Sequence, residues 1–432
     1  MTLSVFVFSL LGAMALGMPI AYALLVCGVS LMAFMAATGA LHAFDAQILA
    51  QRFVDGADNF PLLAVPFFLL AGEFMNAGGL SRRIVNLVVA WVGHYRGGLG
   101  YVAVMAAIIM ASLSGSAVAD TAALAAILIP MMRAAGYDVK RAAGLVASGG
   151  IIAPVIPPSI GFIIFGVAGN VSITKLFLAG IVPGILMGVA IGIAWWWVAK
   201  RENVQPAPKA SMAERLRITG EGVFALALPV IIIGGMKAGV FTPTEAAVVA
   251  AVYAGLVGML VYRELKPSKL YSLFLAAGKT TAVVMFLVSA AMVSAWLITV
   301  ANIPTEVANL LAPFMDNKTL LMLMMMVLIV LVGTALDFAP TVLILTPVLM
   351  PVVIKAGIDP VYFGVLFIMN NAIGLITPPV GTVLNVVSGV AKISMDDAFK
   401  GVMPFLIAQL IVLFALVFIT ELVTVPLKWW MR

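Results

Sequence analysis

Two groups of small polar residues interrupt long apolar segments, and their oxygen atoms suit the binding of a hard cation. The first group is Ser114, Gly115, Ser116 and Asp120, and the second is Gly333, Thr334, Asp337 and Thr341. Hydroxyls, carboxylates and free carbonyls are the ligands that hard cations prefer, and a helix C-terminus adds negative potential. A carboxylate within an apolar segment is costly unless it is partnered, which makes Asp337 a functional candidate.

A helix-breaking segment follows each polar group and offers more oxygen atoms. These segments contain Gly149, Ala153 and Pro154 in the first case, and Asn370, Asn371, Gly374 and Thr377 in the second. Proline removes an amide donor and blocks a carbonyl, so we expect both helices to be unwound there. The polar groups and the unwound segments together form the predicted binding site.

The same pattern occurs twice at one constant offset in the numbering. Pro130, Gly136, Asp138 and Pro157 correspond to Pro351, Gly357, Asp359 and Pro378, and the difference (351 − 130) is the same for every pair. A simpler interpretation is that the serines bond back to their own helices, and that Asp120 and Asp337 only cap helices. Doubled broken helices in matching halves of a membrane protein favour the binding site of a transporter over that interpretation.

The composition indicates an integral membrane protein. The chain is 64% hydrophobic and 10% charged, with a mean hydropathy of +1.18, and a soluble fold would leave too much apolar surface exposed. The net charge of +6 is expected in loops, so it does not indicate nucleic-acid binding. The single cysteine, Cys27, excludes a disulfide scaffold within the chain.

The residues do not support an enzyme. The histidines, His42 and His94, are predicted near membrane edges, so the serines of the first polar group lack a buried base. No cluster of His and Cys suits a transition metal. The stretch 277–280 resembles the end of a phosphate-binding loop, but Leu273 occupies the position of its first glycine. We therefore predict no catalytic residue and no cofactor.

The apolar segments predict an all-α polytopic membrane protein made of two inverted repeats. Single spans are expected near residues 2–16, 19–37, 60–78, 177–199, 221–237, 244–264, 277–300 and 402–426. Re-entrant helical hairpins are expected at 99–132 and 318–353, because the pieces on either side of Ser114 and Gly333 are about fifteen residues long and a span needs about 20. Broken transmembrane helices are expected at 143–168 and 361–389.

The distribution of basic residues predicts the orientation. Basic residues flank the first hairpin and nearly neutral ends flank the second, so the first would end in the cytoplasm and the second outside. The repeats are then 1–199 and 221–432, joined by a cytoplasmic linker at 200–220, with both termini outside. The first basic residue is Arg52, so we expect the N-terminal segment to be a retained helix rather than a signal peptide.

Two further features have structural interpretations. The small residues Gly184, Gly188 and Gly192 predict close helix packing within the chain, with a subunit interface as the alternative. Glu245 follows Thr242 and Pro243 at a predicted helix start, where an acidic side chain favours the helix dipole. We therefore expect Glu245 to act as a cap.

Several stretches resemble the large membrane subunit of TRAP (tripartite ATP-independent periplasmic) transporters. They are SGSAVAD at 114–120, APVIPPS at 153–159, GVFTPTEAA at 239–247, GTALD at 333–337 with ILTP at 344–347, and NAIGLITPP at 371–379. The resemblance covers essentially the whole chain, and the stretches occur in the expected order.

The resemblance implies a sodium-driven, elevator-type secondary transporter of the bacterial inner membrane. It would import an organic acid, such as a C4-dicarboxylate or sialic acid, with Na⁺ as the coupling ion at the two polar groups. Its partners would be a small four-helix membrane subunit on a separate chain and a periplasmic substrate-binding protein. The alternatives are a binding-protein-independent sodium/carboxylate symporter and a membrane scaffold that transports nothing. A membrane-embedded enzyme and a channel fit the residues less well.

Overall fold

Glycine, proline and short polar segments divide an otherwise apolar chain into helices. The computed structural model describes residues 2–41, 44–200 and 208–431, which contain no β-strand. The helices of the first half are α1 (Thr2–Ala15), α2 (Ile20–Ala37), α3 (Ala46–Ala57), α4 (Ala64–Ala77), α5 (Leu80–Val92), α6 (Gly98–Ser114), α7 (Ala117–Ala134), α8 (Val139–Gly150), α9 (Ile160–Gly169) and α10 (Ile173–Ala199).

The second half contains a similar succession. Its helices are α11 (Met212–Lys237), α12 (Pro243–Leu256), α13 (Pro267–Val300), α14 (Ile303–Leu311), α15 (Lys318–Ala335), α16 (Phe338–Lys355), α17 (Pro360–Gly374), α18 (Thr382–Ala391), α19 (Met395–Phe418) and α20 (Glu421–Trp430). Nine helical segments of the described part are long and apolar enough to cross a membrane. The prediction of an all-α polytopic membrane protein is confirmed.

The helix bounds recur at the offset found in the sequence. Shifting α7 by that offset (351 − 130) moves it onto 338–355, which are the bounds of α16. The same shift brings α6, α8, α9 and α10 onto α15, α17, α18 and α19 to within a few positions. One difference is that α13 is continuous, whereas its counterpart is divided into α3 and α4 by a segment with Asp58, Asn59 and Pro61. Proline fits the first turn of a helix but not its interior, which explains the break.

Helices of the two halves pack against each other in a reciprocal way. The second arm of each hairpin contacts the second part of the other half's broken helix, so that α7 packs on α18 and α16 packs on α9. At the second of these contacts the Phe338 ring lies 2.6 Å from the position that a Cβ on Gly161 would occupy. The hairpins and the broken helices therefore form one connected body. The inverted orientation of the halves, and their division at 1–199 and 221–432, stay predictions.

The hairpins differ from expectation in two respects. Their arms contain 17 or 18 residues rather than about fifteen, and α7 and α16 are among the nine candidate spans. The second turn lies at Leu336 and Asp337, after Gly333, which is inside the last turn of α15. Glycine is tolerated in a packed helix, and this one leaves room for a neighbouring segment.

Other boundaries also require correction. The helices α3, α5 and α14 are absent from the predicted segments because their polar residues interrupt the apolar runs. The expected span 402–426 is divided between α19 and α20 near Thr420. The predicted linker 200–220 is shorter, because Lys200 caps α10 and α11 begins at Met212. Residues 201–207 of that linker, and His42, lie outside the described residues.

Local packing confirms the predicted cap at Glu245 and the close packing predicted for two of three glycines in α10. A Cβ on Gly184 would overlap Ile156 and one on Gly188 would overlap Ile108, so both glycines pack within the chain, whereas Gly192 faces open space. Thr242 and Glu245 form a reciprocal capping box at the start of α12. The stretch 277–280 lies inside α13 and forms no loop.

Candidate functional site

A glycine and a serine set the turn of the first hairpin. Gly115 ends α6 with a φ of +66°, a conformation that favours glycine, and Ser116 begins α7. The Ser116 hydroxyl accepts the Ala119 amide at 3.4 Å. The capping residue of this turn, which we call the first tip (residues 114–121), is therefore Ser116 and not Asp120.

Asp120 is buried in the first tip and uses only one of its carboxylate oxygens. Its side chain is 3% exposed, and its Oδ1 accepts a hydrogen bond from the Ser114 hydroxyl. The Ser114 hydroxyl oxygen also accepts the Ser116 amide at 3.3 Å. Within the described residues, Asp120 Oδ2 has no hydrogen-bond partner. A buried carboxylate oxygen without a partner is costly, and it is free to bind a cation.

A second unpaired oxygen lies beside Asp120. Thr121 is fully buried, and its hydroxyl has no partner in the part of the chain that the structure describes. It faces Gly150 at the end of α8, where any Cβ would overlap the Thr121 hydroxyl oxygen. The sequence does not predict Thr121 as a site residue, and its place next to Asp120 is the one signal that could have identified it.

The segment between α8 and α9 packs against the first tip. We call residues 151–159 the first break, and they form no regular helix. A Cβ on Gly115 would overlap the Pro158 carbonyl oxygen and would lie 3.0 Å from the Ser159 Cα. Ser159 caps α9 by accepting the Phe162 amide at 3.1 Å. The unwinding predicted from the prolines is confirmed, and it brings the start of α9 to the first tip.

The predicted residues of the first break contribute less than expected. The Pro154 carbonyl already accepts the Ser159 hydroxyl, and Ala153 is buried with its amide donating to the Gly150 carbonyl at 3.2 Å. Gly149 faces α6, and a Cβ placed on it would lie 2.9 Å from the Ala107 Cβ. These residues shape the wall behind the first tip, and the free oxygens are those of Asp120 and Thr121.

The second tip (residues 333–341) has the same frame with different chemistry. Asp337 takes the capping position of α16, as Ser116 does for α7, but no amide of α16 donates to its carboxylate. The Asp337 side chain is exposed, and its Oδ1 accepts the Thr382 hydroxyl from the start of α18 at 3.3 Å. Asp337 therefore occupies the capping position without making a capping hydrogen bond. Its carboxylate can bind other groups.

Asn371 provides the unpaired buried oxygen of the second tip. It is 1% exposed, and its Nδ2 donates to the Phe338 carbonyl at 2.7 Å. No described residue donates to its Oδ1, which lies 3.2 Å from the position of a Cβ on Gly333. Because Gly333 has no side chain, a space remains beside the Asn371 Oδ1. This amide oxygen is the neutral counterpart of the Asp120 carboxylate.

The segment between α17 and α18 closes the second tip from behind. In this second break (residues 375–381), the Val380 amide donates to the Thr334 carbonyl at 3.3 Å. A Cβ on Gly374 would lie 2.7 Å from the Gly333 carbonyl oxygen, so only glycine fits there. Each tip is therefore backed by the break of its own half.

Several predicted site residues bond elsewhere. The hydroxyls of Thr334, Thr341 and Thr377 donate to backbone carbonyls one turn earlier at 2.8, 2.9 and 2.9 Å. Asn370 donates to the Met326 carbonyl at 2.7 Å and joins α17 to the middle of α15, because successive helical residues point about 100° apart. Hydroxyl oxygens keep a lone pair, so the three threonines can still bind a cation. The Asn370 Oδ1 also has no partner among the described residues, but its side chain lies against the middle of α15 and not at the tip.

An open, largely apolar cavity of about 660 Å³ lies beside the second tip. It is lined by α2 residues including Tyr22, by α13 residues including Phe286, and by Asp337, Ala339 and Pro340. Asp337 is the charged group of this lining. The second tip therefore faces a space large enough for a small organic molecule, bounded by helices outside the hairpins.

Four helices begin next to one another across this region. The start of α7 contacts that of α9 through Gly115 and Ser159, and α9 contacts α16 through Gly161 and Phe338. The start of α16 then contacts that of α18 through Asp337 and Thr382. Helix N-termini carry partial positive charge and bind anions. No lysine or arginine occurs in 114–121, 158–162, 336–341 or 380–384, so these dipoles are the fixed positive groups of the site.

Comparison with known proteins gives a consistent result. The profile of the family described as "Tripartite ATP-independent periplasmic transporter, DctM component" matches residues 7–422. The "2,3-diketo-L-gulonate TRAP transporter large permease protein YiaN" of Escherichia coli is 58% identical over 429 residues, which are 99% of this chain and 100% of that protein. The sialic acid TRAP transporter large permease protein SiaM of Vibrio cholerae is 39% identical and covers 94% of both chains.

A solved structure shares the fold. The crystal structure of the YdaH transporter of Alcanivorax borkumensis superimposes with a TM-score of 0.69 at 15% sequence identity. The superposition covers 94% of this chain and 98% of that one. At this identity the likeness concerns the arrangement of helices alone.

Proposed function

This chain belongs to the DctM family of TRAP transporter large permease proteins, and we propose that it couples a sodium gradient to the import of an organic acid. The protein is a multi-pass protein of the bacterial inner membrane. The observation that carries the proposal is the pair of buried, unpaired oxygen groups, one at each tip. They are Asp120 Oδ2 with the Thr121 hydroxyl, and Asn371 Oδ1.

Sodium binding follows from the chemistry of these oxygens. Carboxylate, hydroxyl and amide oxygens suit a hard cation, and unwound helices in transporters coordinate sodium with backbone carbonyls. The Pro158 carbonyl of the first break, which lies beside Gly115, supplies a further ligand in this proposal. A bound cation offsets the cost of burying Asp120 Oδ2 without a hydrogen-bond donor.

The substrate class follows from the charges around the tips. The substrate carboxylate lies among the starts of α7, α9, α16 and α18, where helix dipoles and bound sodium replace a basic side chain. The remainder of the molecule occupies the cavity beside Asp337. Because a 58% identical relative is named for 2,3-diketo-L-gulonate, a sugar acid is the first candidate.

The transport movement is of the elevator type. The connected body of α6–α9 and α15–α18 slides past the remaining helices and carries the bound acid with its ions across the membrane. The reciprocal packing of α7 on α18 and of α16 on α9 supports movement as one unit. A small four-helix membrane subunit on a separate chain stabilises the remaining helices, and a periplasmic substrate-binding protein delivers the acid.

The experiment is uptake of labelled 2,3-diketo-L-gulonate by proteoliposomes that contain this chain and its small subunit. We expect uptake only with an inward sodium gradient and with the binding protein present, and none when potassium replaces sodium. The variant that tests the first tip is Asp120→Asn. Its matched control is Asp138→Asn, because Asp138 is an exposed cap in the same half. Uptake that persists without the binding protein would identify the sodium/carboxylate symporter instead, and uptake independent of sodium would disprove the coupling.

A further inference from the structure

A buried arginine with no carboxylate partner in the described part of the chain lies outside the candidate site, at the start of α11. Arg215 is 8% exposed, and its Nε has no hydrogen-bond partner among the described residues. One of its terminal nitrogens lies 3.4 Å from His94 Nδ1, and its guanidinium carbon lies 5.6 Å from the centroid of the Trp91 ring. A buried charge without a counter-ion is costly, so this position is suited to an anion from outside the chain.

Lys209 adds a second positive charge near Arg215, whereas His94 is held in its neutral form. Partial desolvation, followed by the charges of Arg215 and Lys209, lowers the pKa of His94. Glu214 is exposed and forms no ion pair with Arg215, and Glu264 pairs with both Arg82 and Arg83. Glu221 similarly lies 4.0 Å from Arg217. The described residues thus leave the Arg215 guanidinium without a compensating carboxylate.

Hydrogen bonds hold Arg215 at the junction of α5 and α11. The Trp91 indole donates to the Thr219 hydroxyl at 2.9 Å, and that hydroxyl donates to the Arg215 carbonyl at 2.7 Å. This chain of bonds ties the end of α5 to the first turns of α11. The backbone of Arg215 is therefore fixed by the fold, and its buried guanidinium lies against His94 and Trp91.

The surface around the junction has the character of a membrane interface. Large apolar side chains are exposed there, namely Trp91, Tyr95, Met212 and Leu216. On neighbouring helices Lys200 lies 3.5 Å above the Trp196 ring, and Arg83 lies 3.7 Å above the Tyr262 ring. Tryptophan and tyrosine next to basic residues mark the level of the lipid headgroups, and basic pockets between helices at that level bind anionic headgroups.

We propose that Arg215, assisted by His94 and Lys209, binds the phosphate group of an anionic phospholipid at the junction of α5 and α11. The planar guanidinium matches phosphate oxygens, and a charge-assisted hydrogen bond is stronger than a neutral one. The acyl chains lie along the exposed apolar side chains of this surface. The lipid secures the start of α11 against α5, at the end of the molecule that the basic residues predict to be cytoplasmic.

The test is the thermal stability of the delipidated protein in a neutral detergent, titrated with phosphatidylglycerol or with phosphatidylcholine. We expect phosphatidylglycerol, and not phosphatidylcholine, to raise the unfolding temperature, because a ligand of the folded state stabilises that state. Arg215→Gln should weaken the apparent affinity for phosphatidylglycerol at least tenfold, or about 1.4 kcal/mol. Arg215→Lys should keep part of it, and the exposed Arg217→Gln should keep all of it.

Each other outcome overturns the proposal. Equal responses to the two lipids, or an unchanged response in Arg215→Gln, would show that no such site exists. A similar rise with inorganic phosphate would identify a site for free anions. Loss of the lipid response when the small membrane subunit is bound would assign the counter-ion to that subunit. Glu202 lies outside the described residues. If phosphatidylglycerol stabilised the Glu202→Gln variant but not the wild type, Glu202 would be the native partner of Arg215.

Discussion

The two tips share a backbone frame and differ in the group placed upon it. Ser116 and Asp337 take the same capping position in the two halves, yet Ser116 makes its capping hydrogen bond and Asp337 does not. The carboxylate of the first tip, Asp120, is buried and bonded to Ser114, whereas that of the second tip is exposed towards a cavity. The buried free oxygen of the second tip belongs to the neutral Asn371.

This difference indicates a division of labour within the proposed mechanism. The first tip is enclosed by its own break, and its charge points inwards, so we assign it an ion alone. The second tip holds its ion with a neutral amide and directs its carboxylate towards the cavity where the substrate would lie. Substitutions in each tip would show whether the tips are separate sites with these different roles.

The largest effect is expected for Asp120→Asn. The amide keeps the size of the side chain and removes the only charge in the first tip, so sodium affinity at that tip should fall about a hundredfold, or about 2.8 kcal/mol. Sodium titrations of uptake would measure the loss. Asp138→Asn removes the same charge from an exposed cap and should behave like the wild type. Equal losses in the two variants would mean that net charge, and not the tip, controls uptake.

Gly115→Ala should be the next most damaging change. Both Gly115 and Gly136 have positive φ, of +66° and +82°, so alanine at either costs about 1–2 kcal/mol of strain. Only at Gly115 would the new methyl also overlap the Pro158 carbonyl, because Gly136 faces open space. Gly115→Ala should therefore lose more stability than Gly136→Ala in thermal unfolding, and it alone should lose sodium-dependent uptake. Similar results for both variants would mean that the contact between the first tip and the first break is not needed for sodium-dependent uptake.

Asn371→Ala should weaken sodium binding at the second tip about tenfold, or about 1.4 kcal/mol, since it removes one neutral oxygen ligand. Its neighbour Asn370 is the matched control, because it is also buried, with an Oδ1 unpaired among the described residues, but bonds to Met326 in the middle of α15 and not at the tip. Asn370→Ala should lower stability in potassium and in sodium alike. A sodium-specific loss in Asn370→Ala, or none in Asn371→Ala, would relocate the second ion.

Asp337→Asn should have the smallest effect on sodium stabilisation and a larger effect on substrate. Its carboxylate is exposed and faces the cavity, where it would accept hydrogen bonds from the hydroxyls of a sugar acid. The change weakens that acceptor, so it should raise the KM for the organic acid with little change in the sodium-dependent unfolding temperature. Asp359→Asn is the equivalent of the Asp138→Asn control in this half. Its uptake kinetics would show how much of the change in KM comes from the loss of a negative charge alone. Loss of the sodium effect in Asp337→Asn would place its carboxylate among the ion ligands.

The sequence predicts the frame of this site better than its chemistry. The constant offset between the two halves correctly pairs the hairpins and breaks, and the prolines correctly locate both breaks. The second turn is misplaced because a glycine in an apolar run suggests a break, whereas Gly333 remains helical against Gly374. The unpaired oxygens of Thr121 and Asn371, and the separation of Asn370 from the tip, depend on contacts between distant segments. Such contacts leave no local pattern in one sequence.

Sodium titration of thermal stability, with potassium as the control, tests the central claim most directly. The wild-type chain should be stabilised by sodium specifically, by about 2.7 kcal/mol for each site at a hundredfold excess over its dissociation constant. Asp120→Asn and Asn371→Ala should each remove part of this stabilisation, and in the double variant the two losses should add, because the sites are separate. Equal stability in sodium and potassium for the wild type, or an unchanged sodium response in the double variant, would contradict the account.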